Sequence, residues 1–362
     1  MKKKLGAIVR IVVSVGILAY LFHGIFQKEA ARYFEQHQLR PEELTFAERS
    51  RIIWTEGPNA LWEVFREVDP WWFAAAIGCV GIVCVCGTVR WQWILLAQGI
   101  ELTFWRATSI FFIGMFFNSF MLGSTGGDVI KAWYAAHETH HKKAEAVATV
   151  VVDRLIGLLA LFVITLIMMG IFYHRVFDDV RLRTFAVLTL GIVIATVAMT
   201  AAMFWKGLAD RVPKGRSLLQ RLPYYDALKR MVEAYRGYAT RPGLLARTAL
   251  LSFGVHLAVM ISIYCVGRGL KITTTNGLVD YLLYLPIINS VTAIPISISG
   301  FGVRELMYAE MFGEVGVKAS EAVALSLLGF IVMLFWSLVG SVFYLTHRKD
   351  VAAAEQEAAA AE

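Results

Sequence analysis

The chain has 362 residues, of which 57% are hydrophobic and only 17% charged, with a mean hydropathy of +0.59. Soluble domains carry about a quarter charged residues, so this composition excludes an ordinary soluble globule and points to an all-α polytopic membrane protein. The net charge of +7 comes from Lys and Arg lying between apolar runs, where they orient helices against anionic lipid and do not mark a nucleic-acid partner.

Met1-Lys2-Lys3-Lys4 precedes an apolar run over 5–26. The run is longer than a signal-peptide core and no small-x-small cleavage site follows it, so it reads as a retained first span with a cytoplasmic N-terminus. Residues 27–69 are rich in Glu and belong outside. Within them Leu61, Trp62, Phe65 and Val68 share a helical face, which predicts an interfacial helix over 59–68. Residues 71–89 form the second span, framed by Trp71 and Trp72 at one end and Trp91 and Trp93 at the other, as interfacial aromatic belts require.

Segment 107–125 is apolar but broken by Asn118, Ser119 and glycines. Arg90 and Arg106 precede it and Lys131, Lys142 and Lys143 follow, so both flanks read as cytoplasmic and the segment enters and returns without crossing. It runs into Gly123-Ser124-Thr125-Gly126-Gly127-Asp128. Glycines permit the tight turn and let a ligand approach backbone amides, and non-helical backbone at membrane depth needs a cavity or protein cover. Asp128 and Lys131 share a helix face, either as a salt bridge that locks the hairpin or as transport residues. The next loop holds His137-Glu138-Thr139-His140-His141, a literal match to the H-E-x-x-H zinc pattern. It lies in a polar, Lys-flanked stretch with no persuasive third ligand, so neither a metal nor a cofactor is expected.

Spans over 150–172 and 184–205 follow. Asp153 and Arg154 stand a few residues into the first of these, either at the cytoplasmic interface or at the rear of a polar cavity. The loop 206–247 carries ten Lys or Arg against three acidic residues and belongs in the cytoplasm; within it, 224–239 reads as a basic amphipathic elbow. Residues 245–267 form the fifth span, with His256 as a hydrogen-bonded packing histidine. Segment 281–299 is again apolar and broken, by Pro295, Ser297 and Ser299, and leads into Gly300-Phe301-Gly302-Val303-Arg304-Glu305. Arg304 offers a planar fork suited to phosphate, and a phosphate there would meet a helix N-terminus; the structural alternative pairs Arg304 with Glu305 or Asp128. A sixth span covers 322–345, and 351–362 reads as a disordered Ala/Glu tail.

With six crossings, parity makes 281–299 re-entrant from the opposite face. Span, span, re-entrant segment, span then occurs twice with inverted orientation, in halves over about 1–172 and 184–345 of one transmembrane domain spanning 1–350. The two hairpin motifs echo each other. With a single three-residue gap Asn118 pairs with Asn289, Gly126 with Gly300, Val129 with Val303 and Tyr134 with Tyr308. The alternative architecture is eight simple spans.

These motifs resemble the flippase-like membrane domain of lysylphosphatidylglycerol synthases and its stand-alone relatives. The resemblance rests on Asn118, Gly126-Gly127-Asp128-Val129-Ile130-Lys131, Asp153-Arg154 and the run from Pro295 to Glu305, and covers about residues 60 to 345. Leu122 stands where the family often has Pro, Lys131 where it often has Arg, and Asp153 where it often has Glu. A stand-alone relative lacks the soluble aminoacyl-transferase domain. The resemblance implies movement of a phospholipid or an isoprenoid-linked lipid across the cytoplasmic membrane, with a lipid-synthesising enzyme as a possible partner and both termini in the cytoplasm. On that reading Arg304 and Lys131 take the headgroup phosphate. Asp128, Glu305 and Asp153 neutralise them in the empty state, Asn118, Ser124 and Ser299 add hydrogen bonds, and Arg154, Gly126, Gly127, Gly300 and Gly302 complete the site. No Walker A sequence or nucleophile elbow is present, and no catalytic residue is assigned. The competing reading is an intramembrane lipid-carrier transferase with Asp128 or Glu305 as base.

Overall fold

A computed structural model describes residues 44–120, 126–139, 142–204, 233–293 and 302–361, together with His23, Phe26 and Phe34. The expected first span over 5–26 and most of the basic linker lie outside the described residues. Among those described, every regular element is helical: α1 Phe46–Arg66, α2 Pro70–Ala97, α3 Phe104–Phe120, α4 Gly126–Glu138, α5 Lys143–Ile171, α6 Tyr173–Asp178, α7 Val180–Phe204, α8 Pro242–Gly269, α9 Leu278–Thr292, α10 Val303–Gly313 and α11 Ala319–Ala361. Five of them, α2, α5, α7, α8 and α11, are long and apolar enough to cross a bilayer. They match the spans expected over 71–89, 150–172, 184–205, 245–267 and 322–345.

Local chemistry sets where these helices begin and end. Asp69 caps α2 by accepting from the Trp71 amide at 2.9 Å, and Pro70 occupies its first position, where the missing N–H costs nothing. The helix then runs 28 residues, about 42 Å at 1.5 Å per residue, so Arg90 sits inside it and not on its flank. The interfacial helix expected over 59–68 is the end of a longer helix. α1 begins at Phe46, with Thr45 and Glu48 forming a capping box. The tail expected to be disordered over 351–362 instead continues α11 to Ala361, because alanine and glutamate are among the strongest helix formers.

The two broken segments form hairpins. α3 has 17 residues and α4 has 13, about 25 and 20 Å, each short of the roughly 30 Å of hydrocarbon. Their outer ends are tied by Arg106 Nε donating to Glu138 Oε1 at 2.9 Å, and their inner ends by the Gly127 amide donating to Asn118 Oδ1 at 2.8 Å. In the second hairpin the rings of Tyr281 and Tyr284, early in α9, meet Phe312, late in α10, at 5.0 and 5.6 Å.

The hairpins open toward opposite ends of the bundle. Beside the outer end of the first, Lys142 Nζ donates to the carbonyls of Gln98 and Gly99 just past α2. At the same end the Tyr238 hydroxyl donates to the Ile94 carbonyl. Beside the outer end of the second, Arg175 in α6 meets Asp280 at 2.7 Å and Arg181 reaches Glu310 at 3.3 Å. There too the Asp69 amide, ahead of α2, donates to the Gly269 carbonyl at the end of α8. Between these ends, small residues let the helices close in, as apolar bundles in lipid require. Ser337 on α11 lies 2.9 Å from Ser119 on α3, and a Cβ added to Gly340 would overlap the Phe112 carbonyl.

A polar cavity at the tip of the first hairpin

Gly127 is the hinge of the site. A Cβ there would overlap the Gly114 carbonyl oxygen and come within 2.6 Å of the Asn118 amide. Only glycine lets the first turn of α4 press against α3. That close approach aims Asp128 and Lys131, one turn apart on α4, at the start of α5.

Three charges interlock behind the hairpin. Asp153 on α5 accepts from Arg90 Nε at 2.7 Å and from Lys131 Nζ at 3.0 Å. Arg90 also donates to Ser252 Oγ on α8 at 2.8 Å. The Lys131 ammonium lies 4.2 Å from the Trp91 ring centroid, and the Trp91 indole is fixed by Thr149 at 3.2 Å. Arg90, Lys131 and Asp153 are all buried. Such a triad is stable only when each charge is matched and hydrogen-bonded, and here four elements supply the partners.

Beside the triad, Arg154 Nη1 stands 3.6 Å from Asp128 Oδ2. This pair is looser and more open: the side chains are 35% and 25% exposed, against 5% for Lys131. His256 Nε2 lies 2.9 Å from the Gly157 carbonyl. Together these groups line a cavity of about 320 Å³, walled by apolar residues such as Leu158, Leu161 and Val255 and reached by Ala293 at the inner end of α9. Three cations face two carboxylates across it, leaving one net positive charge where an anion would otherwise be costly.

The structure thus gathers Asn118, Gly127, Asp128, Lys131, Asp153 and Arg154 at one place, with Gly126 opening α4 beside them. Arg304 and Glu305 are not among the described residues that line the cavity. Arg304 donates to Glu305 Oε1 at 2.7 Å and to Ser326 Oγ at 2.9 Å, and its guanidinium lies over the Phe330 ring. The fully buried Glu305 accepts from the Gly302 amide at 2.7 Å, where Gly302 holds φ at 87°. This is the structural alternative, a pair that fastens the start of α10 to α11. Ser124, Ser299 and Gly300 lie outside the described residues. Glu138 of the H-E-x-x-H match is engaged by Arg106 at 2.8 Å, and His140 and His141 lie outside the described residues.

Arg90 and Ser252 are site residues that sequence reasoning missed. Arg90 reads as a flanking charge only if the second span stops at 89; the apolar residues that resume beyond it, Trp91 and Trp93 to Ala97, are the signal that carries it inward.

With this geometry in view, comparison with known proteins places the chain. Residues 43–340 match the family described as the lysylphosphatidylglycerol synthase TM region. The UPF0104 membrane protein PH1989 of Pyrococcus horikoshii is 23% identical over 321 residues, 82% of this chain and 93% of that protein. The UPF0104 membrane protein MJ1595 of Methanocaldococcus jannaschii is 19% identical over 319 residues, 82% of this chain and 90% of that one. No solved structure matches. The chain is a multi-pass membrane protein that belongs to the lysylphosphatidylglycerol synthase TM region family.

Proposed function

We propose that this protein moves a lipid with an anionic, phosphate-bearing headgroup across the cytoplasmic membrane, without covalent chemistry. The headgroup sits in the cavity while the hydrocarbon chains stay in lipid. The observation that carries this reading is a cavity with five charged side chains, three cations and two carboxylates, and so one net positive charge, at the tip of a hairpin within an apolar bundle. Ionisable residues at such depth mark substrate paths, and family membership supports a lipid-related role.

Arg154 is the group that meets the phosphate. It is the most exposed cation of the set and Asp128 holds it only at 3.6 Å, so a bidentate phosphate can displace the carboxylate. Lys131 and Arg90 are already committed to Asp153 and set the positive field behind the ligand. This assignment replaces the pairing of Lys131 with Arg304. The two hairpins, open to opposite ends of the bundle, support alternating access by rocking of inverted halves, and the basic linker supports cytoplasmic termini.

The test is a proteoliposome assay with headgroup-labelled phosphatidylglycerol and an impermeant quencher. Arg154→Gln removes a charge-assisted hydrogen bond of about 1.5–3 kcal/mol, so translocation should fall about ten-fold or more. Equal rates would remove the cavity from the mechanism. Chemical conversion of the lipid by the purified protein and a soluble donor would favour the transferase reading instead.

A further inference from the structure

The wall that α2 and α8 contribute to the cavity carries two hydrogen-bonding atoms that the charge triad does not use. Arg90 spends Nε on Asp153 at 2.7 Å and Nη1 on Ser252 Oγ at 2.8 Å. Its Nη2 bonds to no described residue, although Arg90 is only 9% exposed. His256 supplies the complementary atom. Its Nε2 lies 2.9 Å from the Gly157 carbonyl. A carbonyl only accepts, so Nε2 carries the proton and, in the neutral ring, Nδ1 is a bare acceptor. Nδ1 also bonds to no described residue. Neither atom is among the described polar atoms sealed from solvent without a partner, so both keep open surface, and both residues line the cavity.

Gly157 brings the two together. A Cβ on it would stand 3.3 Å from Arg90 Nη1 and 3.7 Å from Nη2, so the guanidinium lies against the same residue whose carbonyl His256 meets. On α8, Ser252 and His256 are four residues apart and share a face. The helix therefore presents to Arg90 the serine that holds Nη1 and, one turn on, the imidazole. Gly157 itself follows Arg154 by three residues on one face of α5, about 4.5 Å along the axis. That rise is the reach of a hydroxyl on a short headgroup whose phosphate sits at Arg154.

We propose that Arg90 Nη2 and His256 Nδ1 form a hydroxyl-reading subsite, so that the headgroup this cavity selects is a polyol with a free hydroxyl beyond its phosphate. The proposal rests on the reading of the cavity as a headgroup site and adds the chemistry of its far side. A hydroxyl is both donor and acceptor: it accepts from Nη2 and donates to Nδ1. An alkyl headgroup of the same length does neither and leaves both atoms unpaired, which is how a polar site rejects an analogue that lacks the group it reads. His256 is thus a specificity-determining residue, and Arg90 serves both the triad and the subsite.

The test titrates the full-length protein in detergent, by calorimetry, with two short-chain lipids of equal charge and headgroup length: phosphatidylglycerol and phosphatidylpropanol, which lacks the hydroxyls. The wild type should bind phosphatidylglycerol about ten-fold more tightly. His256→Phe, which keeps a ring but removes the acceptor, should weaken phosphatidylglycerol to the level of phosphatidylpropanol and leave phosphatidylpropanol unchanged. Arg154→Gln should weaken both lipids and preserve their ratio. Equal affinity of the wild type for the two lipids, with both still weakened by Arg154→Gln, would overturn the subsite and leave the headgroup cavity standing; this comparison needs no variant at 256. A His256→Phe protein that loses both lipids equally and keeps the ratio would assign His256 to packing and overturn the proposal as well. Failure of the wild type to bind either lipid would overturn the headgroup reading and the subsite with it.

Discussion

Arg90 and Asp153, 63 positions apart in the chain, meet inside the bundle at 2.7 Å, and Lys131 completes the same carboxylate at 3.0 Å. The relationship joins three helices through one side chain and places fixed positive charge behind the cavity.

Asp153→Asn should therefore leave two buried cations without their shared counter-charge, a loss of about 3–5 kcal/mol for breaking a buried pair. Resistance to unfolding in mixed detergent reads this directly. The Asp153→Asn, Arg90→Gln double variant should be less damaged than the two single losses added together, since the groups form one network. Strict additivity would show that the triad is not coupled.

Gly127→Ala should open the first hairpin. The added methyl overlaps backbone on α3, which cannot yield as a side chain would, so a cost of about 1–3 kcal/mol is expected. Asn118→Ala, which removes the acceptor for the Gly127 amide, should cost about 1–3 kcal/mol. An Ala variant at 127 as stable as the wild type would contradict the close approach.

Topology is testable by single cysteines in a background lacking Cys79, Cys84, Cys86 and Cys265. Cysteines at 105 and 139, flanking the first hairpin, should react with an impermeant reagent from one side. Cysteines at 275 and 314, flanking the second, should react from the other. Labelling of 105 and 139 from opposite sides would restore eight simple spans.

The hairpins were legible in sequence because their interruptions are polar or glycine: Asn118, Gly126 and Gly127 break apolar runs too short to cross. The membership of Asp128, Lys131, Asp153 and Arg154 in one site was legible from the cost of charge at depth. Arg304 was not. Its motif matches a phosphate fork, but its direction is set by Ser326 and Phe330 on α11, contacts that no local spacing reveals. Arg90 was hidden for a related reason, since the same guanidinium can orient a span at its end or pair inside it. The choice depends on where the helix stops. The Arg175–Asp280 pair, with Tyr284 also accepting from Arg175 at 2.9 Å, likewise arises from residues more than 100 positions apart.

That pair anchors the base of the second hairpin, and Asp280 is fully buried. Arg175→Gln should cost about 1.5–3 kcal/mol, the range for a hydrogen bond to a charged group. Asn276 remains as a second donor to Asp280 at 2.9 Å, so the variant should still fold. Unchanged unfolding would show that the hairpin is held elsewhere.

The most direct measurement compares translocation of headgroup-labelled phosphatidylglycerol with that of a zwitterionic phosphatidylcholine analogue, in wild type and Arg154→Gln proteoliposomes. The wild type should favour the anionic lipid, and the ratio should collapse toward one in the variant. A ratio that is the same in both proteins would contradict an anion-selective cavity built around Arg154.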